Sequence, residues 1–343
     1  MKLAPVIVFN YNRPDHSLRT WEALAKNELA AETELYLYCD GPKSRERLGI
    51  SDERLGEYNA YTAPILQVQS LAKQFAEDAE KQGRFKAVHV VCSEKNKGLR
   101  TSIISGATEV INKHGRVIVL EDDLVTSPYF LNYMNKALNK YESYRGVFSI
   151  SSQSYVNPRE FPQDYPYDVY AYPTHTPTGW ATWADRWDLV EWDIDKQLAE
   201  PLANQPYMRN AFMRGGEDLY YRGLRERLNG LDVWSICFTL AHFKHHAVSI
   251  TPIISYINNI GFDGSGANSG SKENSFLNHN YFVDAKQDPR LLDVVYEDSR
   301  IVNIVYSSMV MHRRPFFKRI INRLVYMLTG RTNYILKGEV YKV

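Results

Sequence analysis

Glu121, Asp122 and Asp123 stand side by side in VIVLEDDLVTSPYF, residues 117–130. Four apolar residues, three of them β-branched, run straight into these carboxylates. Adjacent like charges repel, and a carboxylate near a low-dielectric core is costly unless a cation meets it. The run therefore either faces water or meets a metal ion. Magnesium and manganese take oxygen ligands, using one or two protein carboxylates while substrate phosphates and water fill the other positions. Asp123 is placed as a direct ligand of such an ion, and Asp122 and Glu121 are placed to reach ribose hydroxyls or ligand waters. Ser127 is expected to cap the next helix with Pro128 at its first position, so the chain turns sharply after Asp123. The bland alternative is an exposed acidic turn, or a helix start that uses Asp against its dipole.

The segments that must position this trio read as alternating strands and helices. APVIVFNYNRP holds a buried strand over 5–9 that ends in polar residues, and DHSLRTWEALAKN places Leu18, Trp21 and Leu24 at helical spacing. TELYLYCDGPK is a second strand closed by the Asp40-Gly41-Pro42 turn, and residues 43–62 read as irregular and charged. A helix (APILQVQSLAKQFAEDAEKQG), a strand (KAVHVVCSE), a helix stopped by Gly115 and the strand RVIVL follow. Such a pattern predicts a mostly parallel sheet covered on both faces. Ligands of these sheets bind beyond the carboxyl ends of the strands. That rule sets residues 10–13, 40–41, 94–98 and 121–123 along one edge, with Asn10 at the first strand end. There Arg13 can meet a diphosphate or a base, and Asp40 can accept a hydrogen bond from uracil or a similar ring. Lys97 and Arg100, flanking Gly98, suit a phosphate-facing loop.

Composition narrows the class. With 44% apolar and 24% charged residues the 343-residue chain is globular, with room for a large core. A formal charge of +1 gives no support to nucleic acid as a partner. Cys39, Cys92 and Cys237 are odd in number and far apart, which fits neither a zinc site nor a disulfide framework; Cys39 and Cys92 lie in strand-like runs, where reduced, buried thiols are expected. The chain opens on a strand almost at once and has no run of about 18 apolar residues, so a cytoplasmic protein without a membrane span is expected.

Beyond residue 150 the sequence becomes aromatic and turn-rich. Trp180, Trp183, Trp187 and Trp192 can stack on sugar rings or fill a core, and Trp187 reads as core. His175, His245 and His246 have no second ligand at a telling spacing, so satisfied or exposed histidines are expected. A long Gly/Ser/Asn stretch follows NNIGFDG. In the tail HRRPFFKRIINRLVYMLTGR, Phe316, Phe317, Ile320, Ile321, Leu324, Val325 and Leu328 form one stripe amid Arg and Lys. That pattern suits a helix on the inner face of an anionic membrane, or one docked on the domain.

The order VIVFNYNRP, LYCDGP, NKGLRTS, VIVLEDDLVTSPYF, GWATWADRW and NIGFDGSG, over roughly residues 4–266, resembles the GT-A glycosyltransferases. It is most similar to the N-acetylglucosaminyltransferase I type, with its Glu-Asp-Asp variant of the Asp-X-Asp motif, and to related bacterial sugar transferases. The resemblance implies an α/β nucleotide-diphospho-sugar transferase fold. Residues 1–150 would form the nucleotide-sugar half of one domain and 151–290 the acceptor half, with 291–343 a helical, basic tail. It implies Mn2+ (or Mg2+) on Asp123, sugar or ribose contacts from Asp122 and Glu121, and Arg13 and Asp40 around the uridine. Gly179 and Trp180 would shape the sugar and acceptor side. Asp232 in LDVWS matches the family's catalytic base, although the Trp-Asp-Asp-Trp-like segment is reduced here. Glu217 and Asp218 in GGEDLYY resemble an acceptor-side block of galactosyltransferase-like enzymes and rival it. Partners would be a nucleotide-sugar donor, such as a UDP-sugar, and a glycan or lipid-linked glycan acceptor, in cell-surface polysaccharide or lipopolysaccharide synthesis. Late deprotonation of the acceptor by a single base on the far side of the sugar predicts inversion. A nucleotidyltransferase acting on sugar phosphates should carry a Gly-rich basic loop after the first strand, which NYNRPDH lacks. A non-catalytic carbohydrate-binding protein on the same fold is the other rival.

Overall fold

The computed structural model describes residues 1–154, 156–193, 201–216, 219–220, 233–264, 284–311 and 324. Its strands are β1 (Val6–Asn10), β2 (Glu34–Cys39), β3 (Ala87–Cys92), β4 (Arg116–Glu121), β5 (Leu124–Thr126), β6 (Val147–Ser151), β7 (Val169–Tyr172), β8 (Trp180–Trp183), β9 (Val248–Pro252) and β10 (Ile257–Asn259). The principal helices are α1 (Pro14–Ala25), α2 (Leu55–Lys81), α3 (Leu99–His114), α4 (Phe130–Tyr141), α5 (Ser235–Lys244) and α6 (Ser299–Met311).

Eight strands form one sheet in the order β3-β2-β1-β4-β8-β6-β9-β7, and β5 pairs with β10 in a second, two-stranded sheet. The first four strands are mutually parallel. Both faces of these strands are buried, as their unbroken apolar runs require. Along β1, Val6 and Val8 pack on one side with α1, α2 and α4, while Ile7 and Phe9 pack on the other with α3 and α5. The later strands mix directions: β8 runs antiparallel to β4 and β6, and β7 antiparallel to β9. The sheet is therefore α/β and parallel in its N-terminal half, mixed beyond. Residue 150 falls inside β6, so one continuous sheet joins the two sides of that boundary.

Two local expectations are corrected. The stretch expected to be irregular to residue 62 is helical from Leu55, and α2 runs through Pro64. A proline costs a helix the bond to the carbonyl four residues earlier. Here that carbonyl belongs to Ala60, an exposed residue whose oxygen water can serve. Ser127 does not cap a helix at Pro128: α4 begins at Phe130 and the buried Ser127 hydroxyl has no partner among the described residues. The chain does turn at Asp122 and Asp123, but into β5 rather than into a helix.

Among the described residues, no helix is long and apolar enough to cross a membrane. Helix α6 docks on the domain, where Ile301, Val302 and Val305 pack with Tyr170 and Tyr172. The basic stripe beyond it lies outside the described residues, Leu324 apart.

Candidate active site

The parallel strands deliver their carboxyl ends to one edge, with Asn10 opposite Cys39, Cys39 opposite Cys92, and Phe9 opposite Glu121. At this edge β4 releases the acidic trio. The backbone of the turn is held from two sides: the Thr20 hydroxyl of α1 donates to the Asp122 carbonyl at 2.9 Å, and the Ile260 N–H donates to the Asp123 carbonyl at 2.9 Å. Asp122 is buried, and Glu121 and Asp123 are partly so.

Arg13, from the end of β1, spans the turn. Its Nη2 donates to Asp122 Oδ1, and to Asp123 Oδ2 at 2.9 Å. Its other terminal nitrogen, Nη1, is buried with no partner among the described residues. Asp122 also accepts from the Tyr11 backbone. No donor among the described residues reaches Asp123 Oδ1.

One guanidinium thus serves three carboxyl groups, and the electrostatics show the shortfall. Burial, then the charges of Asp123 and Asp122, pushes the Glu121 carboxyl up to about 8, with Arg13 acting weakly the other way. Burial pushes Asp122 up to about 6, against the pull of Arg13 and with repulsion from Asp123. This turn favours a further positive charge.

The segment after β10 completes the wall. A Cβ on Gly261 would lie 2.1 Å from Asp123 Oδ2 and 3.1 Å from Arg13 Nη1, so only glycine lets this backbone pass. His16 Nε2 of α1 lies 3.1 Å from an Asp263 carboxylate oxygen, which joins the NIGFDG segment to α1 beside the acidic turn. Sequence reasoning missed Gly261, Thr20 and Tyr11 at this turn. Gly261 stands just after the polar end of β10 in NNIGFDG, and Thr20 carried no signal.

Four expected ligand contacts are spent inside the protein. Asp40 does not present a free carboxylate to a base: its oxygens accept from the backbone of Gly41, Lys97 and Gly98 and from the Asn96 amide, at 2.8–3.1 Å. It shapes the loop that carries Lys97, whose side chain stays exposed. Gly41 is required there, because a Cβ would meet the Ser93 carbonyl at 2.6 Å. The Asn10 amide donates to the Val8 carbonyl at 2.8 Å and accepts from the Trp21 indole at 3.0 Å. Arg100 donates to the Trp192 carbonyl, tying α3 to the segment that follows β8. Trp180 is 1% exposed and stacked on Trp187 with ring centres 5.4 Å apart, so its ring fills core and offers no face to a sugar. Trp183 and Trp187 are core as well, and Trp192 is half-buried.

Asp232, Glu217 and Asp218, the base candidates, lie outside the described residues. The histidines form no metal centre: among the described residues no group of three or more His, Cys, Asp or Glu is arranged to hold an ion. His175 is neither exposed nor satisfied. It is buried against Phe238, Trp234 and Trp180, and neither ring nitrogen has a partner among the described residues.

No protein-family model matches this chain, and no curated protein matches it. Among solved structures, the crystal structure of S. aureus TarS 1-349 aligns at 13% identity and a TM-score of 0.39, over 74% of this chain and 59% of that one. The crystal structure of S. aureus TarS aligns at 15% identity and a TM-score of 0.31, over 52% of this chain and 28% of that one. The likeness spans about three fifths of the shorter of these chains. At such scores it carries no weight for function, which must come from the site itself.

Proposed function

We propose that this protein is a metal-dependent glycosyltransferase of the GT-A type that moves a sugar from a nucleoside-diphosphate donor to a glycan acceptor with inversion. The observation that carries the reading is the acidic turn at the carboxyl edge of the parallel strands, with three carboxyl groups, one guanidinium and an oxygen of Asp123 left open. Among the described residues the three carboxyl groups form no ready-made cage, so the fit to a hard divalent ion rests on Asp123 alone, with its open oxygen. One direct carboxylate, completed by diphosphate oxygens and water, is how magnesium and manganese are commonly held, and added positive charge favours the ionised form of a Glu121 carboxyl that burial, and then its acidic neighbours, push upward.

Asp123 would hold the ion through Oδ1, with Asp122 kept in register by Arg13 and by the Tyr11 backbone. A divalent ion bound there supplies Lewis-acid neutralisation of the leaving diphosphate. The remaining work falls to the chain. The loop latched by Asp40 presents the exposed Lys97 ammonium beside the same edge, which suits a phosphate group. The acceptor hydroxyl needs a carboxylate base to take its proton late, on the face of the sugar opposite the diphosphate. Asp232 is assigned that role, with Glu217 and Asp218 as its rivals.

The test is nucleotide release from a panel of nucleotide sugars, with and without manganese, on the wild type and on Asp232→Asn. Manganese-dependent release from one donor supports the reading, and no release from any donor opposes it. Full activity in Asp232→Asn would pass the base role to Glu217 or Asp218. A product that keeps the donor's anomeric configuration would rule out inversion.

A further inference from the structure

Cys39 and Cys92, 53 positions apart in the chain, face each other as the last residues of β2 and β3. They are direct partners in the parallel register, so their side chains leave the same face of the sheet, and both pack against the same core cluster. Neighbouring strands run about 4.7–4.9 Å apart, inside the roughly 4.4–6.8 Å span of Cα atoms that a disulfide bridges. Cys39 is buried and Cys92 half-buried, and both thiols are free.

We propose that this pair is a redox modification site: a dithiol that a hydroperoxide closes to an intramolecular disulfide. The pairing is independent of the donor reading above. Cys92 is the attacking sulfur, because it is the accessible member. Its thiol is drawn down to about 7 by a hydrogen bond from Cys39 and, against the effect of burial, by the nearby Lys73 charge. The same hydrogen bond, with burial, raises Cys39.

In the first step the Cys92 thiolate attacks one peroxide oxygen and the O–O bond breaks. Cys92 becomes a sulfenic acid, and the other oxygen leaves as an alcohol or, from hydrogen peroxide, as water. In the second, Cys39 gives up its proton and its sulfur attacks that of Cys92. The S–S bond forms as the S–O bond breaks, and hydroxide leaves with the proton as water. Two electrons pass from the two thiols to the peroxide.

The position gives the bond a consequence. Cys39 precedes Asp40, whose carboxylate holds the Lys97 loop. The residue after Cys92 already donates its N–H to the Cys39 carbonyl at 2.9 Å, and the Gln69 amide bridges the Asp40 and Ser93 carbonyls. A disulfide would weld the two strand ends that launch this loop.

The experiment exposes the full chain to hydrogen peroxide and reads thiols and mass. In the wild type the expected result is loss of two thiols, leaving Cys237, with a mass lower by about 2 Da and a peptide joining the Cys39 and Cys92 segments. In Cys39→Ser a dimedone adduct should appear on Cys92; in Cys92→Ser, Cys39 should stay reduced. The proposal is overturned if the wild type keeps all three thiols. It is equally overturned if Cys92 gains oxygen or cross-links to a second molecule while Cys39 stays reduced.

Discussion

Two buried polar clusters in this molecule solve the same problem in opposite ways. At the end of β4, three carboxyl groups share one guanidinium, and Glu121 and Asp122 are pushed upward by burial and by neighbouring carboxylates, Asp123 above all. Behind β6 and β9, the His242 ring donates from Nδ1 to the Phe238 carbonyl at 2.8 Å and accepts at Nε2 from the Ser149 hydroxyl at 2.9 Å. Ser249 continues that chain to Ser149 at 3.0 Å and to Ser151 at 2.8 Å. The second cluster is neutral, satisfied and complete. The first is charged and short of a cation, with an oxygen open and a backbone glycine pressed against it. A closed neutral network asks for nothing further, whereas an unbalanced buried charge favours an added cation.

The largest effect that sharpens this contrast is expected from Arg13→Ala. Removing the partner of mostly buried carboxylates costs on the order of 3–5 kcal/mol, read by chemical denaturation in chelator. Manganese should restore part of that loss, and unaltered stability would show that Arg13 is not the counter-charge. Next, Asp123→Ala should lower metal-dependent nucleotide release by about a hundredfold or more, the scale for losing one pre-organised electrostatic contact to a developing charge, while leaving the fold intact by circular dichroism. A smaller loss is expected from Gly261→Ala, whose Cβ would stand 2.1 Å from Asp123 Oδ2. Overpacking of this kind costs roughly 1–3 kcal/mol, whereas Gly56→Ala, with open space in α2, should be neutral or mildly stabilising.

The smallest effect at neutral pH belongs to the closed cluster. Burial lowers His242 to about 4. A depressed histidine contributes stability that is present above its ordinary value of about 6.5 and is lost as pH falls from there through about 4. His242→Gln should cost about 1 kcal/mol at pH 7 through its hydrogen bonds and flatten the acid loss across that window. An unchanged acid limb would assign it to other groups.

Much of this was readable in the sequence, for definite reasons. Apolar runs such as VIVFN and ELYLYC, joined by a helix at 3.6-residue spacing, leave little choice but parallel strands buried on both faces. Strand-end polarity then brings Arg13 and Glu121–Asp123 to one edge. Strand spacing shows no partner, so nothing revealed that Arg13 would bridge Asp122 and Asp123 or that Cys39 would oppose Cys92. Asp40 looked like a ligand because its residue type cannot tell a carboxylate that faces solvent from one that latches its own loop. The tryptophans were ambiguous because stacking on a sugar and stacking on Trp187 use the same ring.

The measurement that tests the central claim most directly is calorimetric titration of UDP into the wild type and Asp123→Ala, in manganese and in chelator. The account predicts that manganese strengthens wild-type binding at least about tenfold, the lower end for loss of a supporting group at a metal site, and has no such effect in Asp123→Ala. Equal affinity in manganese and chelator, or an undiminished manganese effect in Asp123→Ala, would contradict it.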